Sequence, residues 1–248
     1  MSHFARLFLL PYLPMRIFSA IASMRAIRRR FGMWAIIATM FASVQVVRIT
    51  LLEAFAIPSG SMEPTLLPGD YVLVNKAIYG SVLFGLRLPG YADPQRGEVA
   101  IFRSPMAPRH MMVKRVIGVP GDVLEMRARQ LFVNGVPIEE PFTRYTAPEN
   151  EGGEAAFNWQ RNYRPAAATT QPFRPTRDTW GPIVVPAEHY FVMGDHRSDS
   201  FDSRYWGFVA RSAFRGRVWI RCWSADPEEG PLGLLTSVRW SRVGSRVR

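Results

Sequence analysis

Three stretches of the chain bring together residue types that can make and break bonds. The first is Ile57-Pro58-Ser59-Gly60-Ser61-Met62-Glu63-Pro64-Thr65. A Ser-Gly-Ser triplet is ordinarily linker chemistry, but here prolines and apolar residues bracket it, so stiff backbone surrounds one flexible point. That suits a held nucleophile, although the triplet alone does not choose between its two hydroxyls. The second is Val113-Lys114-Arg115-Val116-Ile117-Gly118-Val119-Pro120-Gly121-Asp122, a predicted strand ending in a Pro-Gly turn. Alternation puts Lys114 on the face of Val116 and opposite Val113, Arg115 and Ile117. A strand lysine is ordinarily a solvated edge residue. Burial disfavours the ammonium and frees a neutral amine as a base. Lowering its pKa from about 10.4 to about 7 costs roughly 4 to 5 kcal/mol, which is seldom met without a function.

The third stretch runs from Met193 to Gly207, MGDHRSDSFDSRYWG. Acids, bases and hydroxyls alternate so densely that the stretch reads as a rigid, internally hydrogen-bonded turn. It would brace a site, and one hydroxyl could orient a base. Histidine offers little: only His3, His110, His189 and His196 exist, and none has metalloprotease spacing. A Ser-His-Asp arrangement using His196 and Asp195 is conceivable, because spacing does not determine triad geometry. There is no Gly-rich phosphate loop or dinucleotide fingerprint, so no metal or other cofactor is expected.

The elements that would position these residues fall into two regimes. From Asp70 onward, DYVLVNK, EVAIFR, VKRVIGV, DVLEM, LFVNGVPI, YFVMGD and GRVWIRCW are short β-forming runs broken by Gly and Pro, which predicts a mainly antiparallel β domain. Asn134-Gly135 marks a two-residue hairpin. Residues 143–179 turn rich in Pro, Gly, Thr, Asn and Arg and read as an irregular, extended surface insertion. Before the β domain, Arg25, Arg28, Arg29 and Arg30 crowd in front of an apolar segment, predicted as a transmembrane anchor over 31–55. Arg48 lies near its distal end, from which it can snorkel. The run exceeds the h-region of a cleavable leader, and the arginine cluster predicts a cytoplasmic N-terminus. Residues 1–30 form a basic N-terminal segment, with 4–24 interfacial. The basic tail SVRWSRVGSRVR could also rest on a membrane surface.

Over 248 residues the formal charge is +11. That suits a nucleic-acid binder or a protein on an anionic membrane equally. The one cysteine, Cys222, excludes internal disulfides and cysteine-rich zinc sites and is expected as a partly buried apolar position.

In this order behind an apolar segment, SGSMEPTLLPGDYVLVNK, RGEVAIFR, VKRVIGVPGD and GDHRSDSFDSRYWGF resemble bacterial type I signal peptidases. Each motif is modest alone; their joint order and spacing are specific. The resemblance implies a β fold of the signal-peptidase and repressor-peptidase type, with 56–248 the extracytoplasmic catalytic domain of a single-pass plasma-membrane protein. It makes Ser61 the nucleophile and Lys114 its general base. Ser59 would join the Ser61 N–H in the oxyanion hole. Ser200 would orient the lysine, and Asp195, Asp202 and Arg204 would support the loop. Phe55, Ile57 and Val113 would line pockets accepting Ala-x-Ala. The loop departs from the family's usual form at His196, Ser198 and Asp199, where Asn, Asp and Asn are expected. The implied partners are secretory precursors and membrane lipids, with no nucleic acid, and a monomer is expected. A dedicated pilin-type or conjugation-associated processing peptidase, a self-cleaving repressor-like regulator and a non-catalytic membrane-anchored β module are the alternatives.

Overall fold

The structure, a computed structural model, describes residues 32–45, 51–83, 86–149, 155–168, 173–229 and 236–247. The chain divides into two compact units, 1–48 and 49–248. In the first, a helix, α1, is described over residues 32–45, and Trp34, Ile37 and Phe41 on it are exposed. No helix among the described residues is long and apolar enough to cross a membrane. The basic cluster Arg25–Arg30, the interfacial stretch 4–24 and Arg48 lie outside the described residues.

The second unit is mainly β and antiparallel. Its largest sheet orders seven strands as β1-β2-β13-β5-β6-β11-β12: β1 Leu52–Ala56, β2 Asp70–Asn75, β5 Val99–Arg103, β6 Met111–Gly118, β11 His189–Met193, β12 Val209–Ala210 and β13 Phe214–Ser224. A four-stranded sheet follows the order β10-β7-β8-β9, from Trp180–Val184, Val123–Arg127, Gln130–Val133 and Val136–Ile138. β3 Gly80–Leu83 and β4 Leu86–Pro89 make a separate hairpin. Period-2 patterning explains β2, where Asp70, Val72 and Val74 are buried and their neighbours half-buried. Core lies on both faces of β5: Val99 and Ile101 join Ile57, Met62 and Val72, whereas Ala100 and Phe102 join Val116, Val192 and Phe214. The Asn134-Gly135 hairpin forms as expected, with φ of 54° and 79° at the two turn residues.

Three expectations are corrected. The distal end of the segment read as anchor to residue 55 is strand β1, which pairs residue by residue with β2 from Leu52↔Asn75 to Ala56↔Tyr71. An apolar run beside a helical one hides a strand whose partner is supplied by later sequence. The insertion is irregular as read, with 3₁₀ segments at Ala155–Tyr163 and Ala166–Ala168, but it is not merely a surface excursion. Phe157 and Gln160 are buried, and Phe157 packs 4.8 Å from the Tyr205 ring. Cys222 is exposed on β13.

Candidate active site

Ser61 sits in a 3₁₀ turn of three residues, Gly60–Met62, just beyond β1. Met62, almost fully buried among Ile57, Leu66 and Val72, roots the turn in the core. Lys114 comes from the middle of β6. On one side Lys114 pairs with Ala100 of β5. On the other, β11 accompanies β6 only as far as Met193↔Arg115 and gives way to Gly194, so at Lys114 that side has no ladder partner. The lysine side chain reaches the serine turn: Lys114 Nζ and Ser61 Oγ lie 2.5 Å apart. Lys114 is 3% exposed. Burial pushes its pKa down from the usual lysine value, and Arg204 adds to this, while Asp202, Asp195 and Asp199 act in the opposite sense.

Ser59 Oγ lies 3.4 Å from Ser61 Oγ. Beside the pair opens a cavity of about 200 Å³, lined by Phe55, Ile57, Ile101, Met111, Met112 and Val113 as well as by Ser59, Ser61 and Lys114. All three residues expected to line a substrate pocket therefore meet at the dyad. The cavity is mostly apolar, small enough for a short aliphatic side chain, and open toward the hydroxyls.

The loop after β11 frames the site from behind. Asp195 is fully buried, and its carboxylate accepts from Arg115 Nε (2.8 Å), Arg115 Nη2 (2.6 Å) and Thr65 Oγ1 (2.5 Å). Its oxygens are thus occupied away from His196, whose Nε2 contacts Thr146 Oγ1 at 2.9 Å. A Ser-His-Asp reading does not fit this arrangement. Asp202 caps the short helix α2, Ser203–Trp206, and takes Arg204 Nε and Nη2 at 2.8 Å each, plus the Gly194 N–H at 3.0 Å. Burial alone would raise the Asp202 pKa, but the Arg204 charge and these hydrogen bonds hold it below the usual carboxylate range. Gly194 has to be glycine: a Cβ there would stand 2.2 Å from Ser200 Oγ and 2.4 Å from the Ser61 carbonyl oxygen.

A model of the family described as signal peptidase, peptidase S26, matches residues 28–223. The chain belongs to the peptidase S26 signal peptidase family. It is 41% identical over 176 residues to signal peptidase I of Pseudomonas fluorescens, covering 66% of this chain and 58% of that one. It is likewise 41% identical over 182 residues to signal peptidase I of Pseudomonas aeruginosa, with the same coverage. A probable signal peptidase I-2 of Synechocystis is 33% identical over 195 residues, covering 77% of this chain and 70% of that one. The chain thus spans little more than half the length of the two Pseudomonas relatives it matches.

Within this family framework, one expected contact is not formed. Ser200 Oγ does not bond Lys114; it is buried, without a hydrogen-bond partner, against Gly194. Ser200 is extended, with φ −138° and ψ 120°, and follows the 3₁₀ turn Arg197–Asp199; there its Oγ packs over Gly194, where the Ser61 carbonyl also lies. Sequence reasoning also missed several residues. Phe142 stacks on the Arg115 guanidinium, whose carbon lies 3.7 Å from the ring centroid. Glu140 grips Arg197 through two bonds of 2.8 and 2.6 Å, and Arg144 pairs with Glu63. These residues come from the end of the β9 segment and the start of the insertion, where no periodicity marks them.

Proposed function

We propose that this chain is a membrane-bound serine endopeptidase that removes N-terminal leader peptides from exported precursors, cutting after Ala-x-Ala-like sites by a Ser61–Lys114 dyad. The reading rests on one observation above the others: a buried lysine with a lowered pKa whose Nζ lies 2.5 Å from a serine Oγ at the mouth of an apolar cavity. In the neutral form, Lys114 takes the Oγ–H proton as Ser61 attacks the scissile carbonyl carbon. The resulting oxyanion is assigned to the Ser61 N–H and the Ser59 hydroxyl. Asp202 and Asp195 ease the transient ammonium on Lys114. That ammonium then protonates the leaving amine as the C–N bond breaks, leaving an ester on Ser61. Lys114 next removes a proton from water, which attacks the ester, and returns it to Ser61 Oγ. Ser200, whose hydroxyl has no partner in the resting chain, is assigned to the protonated lysine.

An extended substrate would add alongside β6 where β11 has given way, with its small side chains in the cavity beside Phe55, Ile57 and Val113. The exposed apolar side chains of α1 and the arginines preceding it support a single-pass anchor with its N-terminus in the cytoplasm. Residues 56–248 would then act outside a bacterial plasma membrane, where a precursor's apolar h-region is held. Incubating the chain in detergent with such a precursor and sequencing the new N-terminus tests the reading. Cleavage immediately after the second alanine of Ala-x-Ala is expected; cleavage elsewhere, or none, overturns the assigned substrate.

Ser59→Ala is expected to lower kcat about 10² to 10³-fold with KM little changed, as for loss of one oxyanion donor. Steady-state kinetics on the same precursor measure it, and an unchanged kcat removes Ser59 from the oxyanion hole.

A further inference from the structure

A three-residue 3₁₀ turn is a poor holder for a nucleophile. Gly60–Met62 closes one backbone bond, Glu63 N–H to Gly60 O, and Ser59 at its start makes no side-chain cap. What holds Ser61 from outside is a second layer. The His196 N–H donates to the Ser61 carbonyl at 3.2 Å. His196 is in turn fastened by the strap of residues 140–147. The Arg144 N–H donates to Asp195 O and the Arg197 N–H to Arg144 O, both at 2.8 Å, making a short parallel bridge between Arg144 and His196. Thr146 Oγ1 meets His196 Nε2 at 2.9 Å. The Thr146 and Ala147 N–H groups share Ser198 Oγ at 3.1 and 3.2 Å. Glu140 anchors the near end through the buried Arg197. From the same strap, the Arg144 guanidinium crosses to Glu63, two residues after the nucleophile. The strap, the loop and the serine turn therefore close a ring of contacts, with Ser61 at the corner where loop and turn meet.

We propose that the strap is a positioning device for the Ser61–Lys114 pair, in which Thr146 and Arg144 are positioning residues that act on Ser61 through His196 and Glu63. The inference rests on the Ser61–Lys114 reading. It is not a stability argument, because Thr146 and Arg144 are both exposed, and the Arg144–Glu63 pair, with side chains 47% and 21% exposed, is of the kind that contributes little to folding. Their leverage is geometric. A nucleophile held 2.5 Å from its base and aimed at a carbonyl loses rate steeply on a shift of about 1 Å, on the order of 10²-fold. The strap reaches Ser61 on two sides without touching the substrate cavity, so its loss should leave binding alone. His196 and Ser198, which the strap grips, are also two of the three positions where the loop departs from the form the resemblance implies.

The test measures kcat and KM separately in detergent, on an Ala-x-Ala precursor, for wild type, Thr146→Val, Thr146→Ser, Arg144→Met and Ser61→Ala, with Tm recorded for each. Thr146→Val and Arg144→Met are expected to lower kcat about 10-fold or more, within the range for a misplaced reactive group. KM should stay within about twofold and Tm unchanged, and Thr146→Ser, which keeps the hydroxyl, should restore wild-type kcat. An inactive Ser61→Ala beside wild-type kcat in both Thr146→Val and Arg144→Met overturns the strap inference alone. So does a rise in KM with kcat unchanged, or a loss that Thr146→Ser does not restore. Cleavage by Ser61→Ala overturns the dyad reading and this inference with it.

Discussion

Replacing Lys114 by methionine should lower kcat/KM on an Ala-x-Ala precursor by about 10² to 10⁴-fold, the range for loss of a general base, without unfolding the protein. Both parts follow from burial. The side chain is 3% exposed in mid-strand, so methionine of similar length fills the space and leaves no ammonium to desolvate. The base is lost because nothing else is as well placed for the proton: the nearest hydroxyl, Ser59 Oγ at 3.4 Å, is no base. The same burial gives a signed pH dependence. In the unfolded chain Lys114 keeps its proton up to the ordinary lysine value of 10.5; folding lowers that value. Between the two values the unfolded chain binds more protons, so stability rises with pH across that window. Below the folded value, both states are protonated and the full cost of burying the ammonium applies. Lys114→Met should remove this contribution, so that in chemical denaturation from neutral pH to 10.5 wild type gains stability relative to the variant as pH rises. In wild type, kcat/KM should rise with pH along a limb set by Lys114, at a pH below the ordinary lysine value. The same pH dependence of stability in wild type and variant, or a variant with wild-type kcat/KM, contradicts the assignment.

The second large effect is structural. Asp195→Asn should cost about 3 to 5 kcal/mol, the range for breaking a buried ion pair by removing one partner. Arg115 and Asp195 are 1% and 0% exposed in their side chains, joined through two bonds, and Arg115 is further committed to the Gly97 carbonyl at 2.7 Å and to the face of Phe142. An asparagine of the same size leaves the guanidinium buried without a counter-charge and turns an amide donor toward a group that also only donates. Urea unfolding measures the loss. The matched control is Asp226→Asn, which breaks a 3.6 Å pair with Arg239 whose side chains are 46% and 24% exposed. It should cost less than about 1 kcal/mol. Equal costs for the two would contradict the view that burial, not the count of ion pairs, makes the loop after β11 rigid.

Much of the β domain was legible because its strands obey simple rules. DYVLVN alternates, Asn134-Gly135 turns back on itself, and VAIF is apolar throughout because both its faces are covered. Leu52–Ala56 was not legible, since its apolar residues continue a helix-like run and only β2 makes them a strand. Nor was Trp180–Val184, where Gly181 and Pro182 interrupt the pattern and the register shifts between Trp180 and Ile183. Ser61 and Lys114 could be singled out because four motifs keep their order and spacing; neither is distinctive locally, and 53 positions separate them. The strap was invisible for the same reason without the remedy. Arg144 meets Glu63 across 81 positions and Thr146 meets His196 across 50, in a stretch with no periodicity. Ser200 shows the reverse: its assigned role is readable from the motif, yet its hydroxyl has no partner in the resting geometry.

Whether Ser61 is the nucleophile decides the rest. The most direct measurement is cleavage of an Ala-x-Ala precursor in detergent micelles by Ser61→Ala beside wild type, with products resolved by mass. The expected result is a mature product and a free leader from wild type, and intact precursor from Ser61→Ala at equal protein concentration and equal Tm. Mature product from Ser61→Ala at the wild-type rate would contradict the dyad.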